Sequence, residues 1–133
     1  MELTIVFAIG LGGIAVAYWL ARQVLAADTG TPAMQSVGEA IRQGANAFLK
    51  RQYTTIGWIV VILGVVIYLL YALQGDTTEG IRTTVAFAMG ALLSAVAGYI
   101  GMWIAVRANL RTAAAATRSL DQALKIALRG GAV

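Results

Sequence analysis

The chain has no cysteine and no histidine among its 133 residues, and a single proline. The first two absences exclude disulfides, thiolate nucleophiles, the usual zinc sites and imidazole acid–base chemistry. Charge is scarce as well. Charged residues make up 12% of the chain, about half of the roughly 25% typical of a soluble domain. The six acidic residues are scattered singly, so no aspartate cluster is available to hold divalent cations. Neither GxxxxGKS/T nor GxGxxG occurs, which removes the glycine loops that cradle phosphates. No apolar run carries an ionisable residue at its centre, the usual mark of an ion or proton path. The sequence therefore names no catalytic, cofactor-binding or metal-binding residue.

What remains is hydrophobic. Apolar residues are 59% of the chain and the mean hydropathy is +0.77, which places it among integral membrane proteins. Residues 3–21 are uncharged and reach roughly 28 Å as a helix, enough to cross the hydrocarbon. Glu2 precedes this run and Arg22 follows it, the reverse of a signal peptide's flanks. Tyr18 and Trp19 suit the interface at its far end, and Gly10, Gly12 and Gly13 mark a close backbone contact. Residues 28–32 break the pattern, with Thr31 as an N-cap and Pro32 at the first helical position. Residues 32–51 then read as an amphipathic helix. Met34, Val37, Ile41, Ala45 and Phe48 share one side, and Gln35, Glu39, Arg42, Gln43, Asn46 and Lys50 share the other. This segment either lies in the interface plane or extends the next span; its charges read as a solvated face. A second span at 56–73 has Trp58 near its entrance and Tyr68 and Tyr71 near its exit, matching two aromatic belts. A short loop at 74–84 leads to a third span at 85–106.

The third span has the sharpest pattern. Gly90, Ser94, Gly98, Gly101 and Ala105 fall within about a quarter-turn on a helix, with Leu92, Leu93, Val96, Ile100, Trp103 and Ile104 opposite. Lipid is as apolar as leucine, so helices associate in it through small residues that let backbones approach. The stripe is expected to be a packing face.

Charge sets the orientation. Arg22, Arg42, Lys50 and Arg51 lie between the first two spans, Arg82 alone between the second and third, and Arg107, Arg111, Arg118, Lys125 and Arg129 after the third. The positive-inside rule then puts the N-terminus outside and the C-terminal segment in the cytosol. It also accounts for the net charge of +4 without a nucleic-acid partner. Arg107, Arg111 and Arg118 would share a face if the helix continued through 113–116; such a stripe attracts phosphates or, more simply, anchors at anionic headgroups. From Ser119, the pattern Ser-Leu-Asp-Gln predicts a capping box with Gln122 and a helix over about 119–130. Asp121 and Lys125 make a favourable i,i+4 pair. The expected fold is thus all-α and polytopic: transmembrane helices at about 3–21, 56–73 and 85–106, plus helical segments at about 32–51 and 119–130, in one membrane domain over 1–133.

Two motifs carry a family likeness. Residues 30–56 hold Ile41, Gly44, Ala45, Ala47, Phe48, Leu49 and Arg51, and this stretch resembles the first cytosolic segment of the membrane-integral pyrophosphatases. The third span resembles the same family more strongly, through Gly90, Ala91, Ser94, the run Gly98-Tyr99-Ile100-Gly101-Met102, Ala105, Ala108, Asn109, Arg111 and Thr112. The ending, from Ala123-Leu124-Lys125 to Gly130-Gly131-Ala132-Val133, looks like that family's entry into a fourth span. The resemblance implies a pump coupling pyrophosphate hydrolysis to export of protons or sodium ions. It implies homodimers of chains with about sixteen spans in two rings, in the cell inner membrane. It also implies magnesium ions at a site whose aspartates and lysines are not in this sequence. On that reading the chain is an N-terminal, outer-ring fragment, inactive by itself. The competing expectation is a complete three-span accessory subunit acting through helix packing.

The stripe yields a prediction. Replacing Gly98 with Leu should lower expression or thermal stability of the intact protein and leave pyrophosphate affinity nearly unchanged. A selective loss of pyrophosphate binding at normal stability would contradict a packing role.

Overall fold

The computed structural model describes residues 2–133. It contains four helices: α1 (Glu2–Ala26), α2 (Pro32–Leu73), α3 (Thr77–Ala116) and α4 (Leu120–Gly131). No strand occurs among the described residues. The first three helices are long and apolar enough to cross a membrane. The most apolar 18-residue stretches of α1 and α3 contain no buried residue, and that of α2 is 6% buried. Such surfaces suit lipid or further helices. The chain divides into two compact units, one of Met1–Ala45 with Gly101–Val133 and the other of Asn46–Ile100.

The helices outrun the apolar spans, and the reasons are local. The amphipathic segment at 32–51 is not a separate interfacial helix but the start of α2. Nothing between it and the second span breaks a helix, since residues 52–55 include no glycine or proline. The hydroxyls of Thr54 and Thr55 donate back to the carbonyls of Lys50 (2.8 Å) and Arg51 (3.1 Å), so their polarity is absorbed within the helix.

In the unit Asn46–Ile100, the loop expected over 74–84 shrinks to residues 74–76. Gly75 has φ +83°, and its N–H bonds the Ala72 carbonyl while that of Asp76 bonds Tyr71. These paired bonds form a Schellman closure, which needs the left-handed conformation that glycine adopts freely. Asp76 then caps α3, its Oδ1 accepting from the Glu79 N–H at 3.2 Å. Stop and start signals adjoin, so no room is left for a longer loop.

In the other unit the buried apolar residues are Val24, Ile104, Ala108, Ala114, Ala115 and Ala123. Four of the six are alanines, so helices meet here at close range rather than through bulky side chains. Helix α4 packs on α1, and its Gly130 faces α3, where an added Cβ would stand 2.6 Å from the Ala108 Cβ.

At the start of α4 the expected capping box does not form: Ser119 occupies the N-cap position without a side-chain bond. A box would bring Gln122 back to the Ser119 N–H, but that group already donates to the Ala115 carbonyl at 2.9 Å. The Asp121–Lys125 pair is present at 2.6 Å.

Gly130→Ala should destabilise the protein by about 1–3 kcal/mol through overpacking. Gly131→Ala, with nothing within 4 Å of the new methyl, should be close to neutral. Thermal unfolding of the two variants in detergent checks the difference; equal melting points would refute the tight α3–α4 approach.

Candidate functional site

The end of α1 poses a problem that its own sequence does not solve. The last carbonyls of a helix lack intrahelical partners, and α1 has no basic residue in its last turn. The partner comes from α3. Arg111 donates from Nη2 to the Leu25 carbonyl at 3.1 Å and from Nε to the Ala27 carbonyl at 3.2 Å. Its Nη1 bonds the Arg107 carbonyl at 3.0 Å, steadying the side chain on its own helix. A planar guanidinium with donors in a fixed fork suits two neighbouring carbonyls, and its charge complements the negative end of the α1 dipole.

The segment after α1 is tied down around this contact. Asp28 forms an ion pair with Arg118 and accepts the Gly30 N–H at 3.0 Å. The Gly30 N–H first, and Arg118 second, hold the Asp28 carboxyl below the usual carboxylate range. Gly30 has φ +74°, and a Cβ there would lie 2.9 Å from the Ala114 Cβ and 2.8 Å from the Met34 sulfur. Thr31 acts as expected, its Oγ1 accepting from the Met34 N–H at 3.4 Å. Gln35 closes the segment by donating to Thr29 Oγ1 and the Gly30 carbonyl.

The three arginines expected on one face meet different fates. Helix α3 does continue through 113–116 but stops at Ala116, so Arg118 sits in the following turn and pairs with Asp28. Arg111 is taken up by the end of α1. Arg107 lies flat on Trp103, 3.6 Å from the ring centre, and donates to the Trp103 carbonyl at 3.0 Å.

Beside them is a polar cavity of about 260 Å3 lined by Gln35, Glu39, Arg42, Arg107 and Arg111, among others. Glu39 and Arg42, taken from sequence as a solvated face, pair there at 2.7 Å. An apolar cavity of about 380 Å3, lined by Met34, Val37, Ile41 and Ala113, shares Gly38, Val106 and Leu110 with it. Sequence reasoning did not bring Arg42 near Arg107; the signal was the unbroken helix that carries 32–51.

The small-residue stripe divides between the units. Gly90, Ser94 and Gly98 are exposed in one, and Gly101 and Ala105 are half-buried in the other. A Cβ at Gly90 or Gly101 would meet nothing within 4 Å. At Gly98 it would meet the Tyr53 hydroxyl at 3.1 Å. That hydroxyl donates to the Ala95 carbonyl at 2.8 Å, and the Tyr53 and Tyr99 rings meet edge to face at 6.4 Å. Ile104, read from sequence on the opposite side, is 2% exposed. Among the described residues no three histidine, cysteine, aspartate or glutamate side chains converge. These residues therefore do not fit a magnesium site.

Comparison with known proteins agrees along nearly the whole chain. The family model described as inorganic H+ pyrophosphatase matches residues 11–133. A protein of Moorella thermoacetica named K(+)-insensitive pyrophosphate-energized proton pump 2 is 48% identical over 93% of this chain. A K(+)-insensitive pyrophosphate-energized proton pump of Methanosarcina mazei is 45% identical over 93%. Pyrophosphate-energized membrane proton pump 3 of Arabidopsis thaliana is 40% identical over 95%. The match covers 17%, 18% and 17% of those three relatives, respectively. No solved structure matches the chain.

Two outcomes test the contacts at the end of α1. Arg111→Gln should cost about 2 kcal/mol, as expected for losing charged hydrogen bonds to carbonyls, and should speed amide exchange over residues 22–31. Arg111→Lys should rescue only part, because an ammonium does not reproduce the fork. Asp28 has a depressed folded pKa, so its contribution is fully present above the ordinary carboxylate value and is lost as pH falls through the lower, folded value. As pH falls through that lower value, the exchange protection of residues 25–31 relative to their intrinsic rates should therefore drop in the parent and lose this acid step in Asp28→Asn.

Proposed function

Because the chain belongs to the inorganic H+ pyrophosphatase family, we propose that it forms the helix-packing part of a pump that couples pyrophosphate hydrolysis to ion export. The match to the family over residues 11–133 carries this reading. The ion is a proton, in keeping with the names of the relatives, and the K(+)-insensitive names of two of them favour potassium independence. The chain spans less than a fifth of the length of these relatives and gathers no metal-binding cluster among its described residues. The site for pyrophosphate and magnesium accordingly belongs to other parts of the pump, and these helices contribute to an outer ring in one membrane domain.

The stripe of Gly90, Ser94, Gly98, Gly101 and Ala105 then receives neighbouring helices of the pump. The open space over Gly90 and Gly101 supports this, as do the unburied apolar stretches of α1 and α3. The pump is a homodimer in the cell inner membrane, with this chain's N-terminus outside and α4 on the cytosolic side. The cation-rich segments at 22–51 and 107–129 and the cation-poor turn at 74–84 support that orientation. A self-contained accessory subunit is not favoured, because the likeness to the pumps runs through nearly the entire chain.

The test is an assay of the intact gene product in inverted vesicles. Pyrophosphate should drive both phosphate release and acidification of the lumen, whereas the isolated 133-residue segment should do neither. Hydrolysis by the isolated segment would overturn the assignment of chemistry to other parts of the pump. An intact product that leaves pyrophosphate untouched would overturn the pump reading altogether.

A further inference from the structure

Helices α2 and α3 bring three arginines to one polar space. Arg42, Arg107 and Arg111 line the cavity of about 260 Å3 with a single carboxylate, Glu39, a formal balance of +2. Glu39 is shared by two of them. Arg42 pairs with it at 2.7 Å, and Arg42 first, then Gln43 and Arg107, hold its carboxyl below the usual carboxylate range. Among the described residues Arg111 bonds only to carbonyls, those of Leu25, Ala27 and Arg107. Those bonds position its charge without cancelling it, and burial works against the charged form. Stacking on Trp103 holds the Arg107 guanidinium in one plane. Thr29 Oγ1 accepts from Gln35 at the edge of the space, which leaves its own O–H to donate. Every lining residue belongs to one compact unit. The charged ones lie outside the apolar spans at 56–73 and 85–106, so the cavity meets water rather than hydrocarbon.

We infer that this cavity binds one soluble phosphate-type oxyanion, inorganic phosphate or a phosphate monoester, among Arg42, Arg107 and Arg111. Guanidinium forks match the oxygens of a phosphate in pairs. A phosphate monoester carries about −1.5 to −2 at pH 7, which balances the surplus, whereas one carboxylate would leave half of it. The bound anion joins Arg42 of α2 to Arg107 and Arg111 of α3. Through Arg111, which holds the Leu25 and Ala27 carbonyls, it also steadies the end of α1. It thereby acts as a counter-ion that locks three helix ends together. The inference stands independently of the pump's activity, because the site takes no part in pyrophosphate cleavage.

Hydrogen exchange of the intact gene product in detergent tests it. The probes are inorganic phosphate and sulfate, with sodium chloride at equal ionic strength as the control. Either oxyanion should slow exchange over residues 35–42 and 104–111 and over the end of α1, where chloride does not. Arg42→Gln should raise the half-saturating concentration about tenfold, the effect of one charge-assisted hydrogen bond, and Glu39→Gln should lower it. Equal protection by chloride, or protection unchanged in Arg42→Gln, would overturn the inference. Protection by phosphatidylglycerol but by neither probe would assign the cavity to the membrane and overturn it equally. Should Arg42→Gln fail to fold, Glu39→Gln decides: tighter binding supports the site, and unaltered binding refutes it.

Discussion

Two carbonyls at the end of α1 and one guanidinium on α3 hold the first unit together. Arg111 lies 86 residues beyond Leu25 and 84 beyond Ala27 in sequence, so this contact closes a long loop rather than finishing a local turn. With it in place, Asp28 reaches Arg118, Gly30 settles against Ala114, and Val24 becomes fully buried. A helix whose apolar length faces outward has few other ways to be fixed to its neighbours. Between apolar surfaces in a bilayer the hydrophobic effect distinguishes partners poorly, and a charged hydrogen bond at the interface supplies the missing specificity.

Much of the architecture was legible because it follows from composition and period. Three apolar runs of sufficient length, in a chain with this little charge, have few alternatives to crossing a membrane. Helix ends were harder, since each depends on what the backbone amides are already doing. Ser119 matches the capping pattern but makes no side-chain cap bond, and its amide, which a capping box would pair with Gln122, bonds the Ala115 carbonyl. Asp76-Thr77-Thr78-Glu79 has the same kind of pattern, and there the aspartate does cap its helix even though its own amide bonds the Tyr71 carbonyl.

The site was legible only in pieces. Placing Arg107 and Arg111 on one face followed from helical spacing, but their partners at Leu25, Ala27 and Trp103 are tertiary facts. Gly98 was expected to admit another helix; within this chain its lack of a side chain leaves space for the Tyr53 hydroxyl over the Ala95 carbonyl. Ile104 shows the limit of the method. It was grouped with the side opposite the stripe, yet at 100° per residue it lies only about 40° from Gly90, and neighbours of its own unit cover it almost completely.

The three-residue turn between α2 and α3 bears on how the chain is delivered to its membrane. The two apolar spans cannot be inserted far apart in time with a long tether between them, because residues 74–76 supply almost none. They form a helical hairpin whose backbone groups are satisfied up to the tip, a unit suited to entering as a pair. The polar load at that tip is small: the turn itself and the first residues of α3, where Glu79 and Arg82 pair at 2.6 Å. The closure at Gly75 therefore shapes the biogenesis of the protein as much as its folded form.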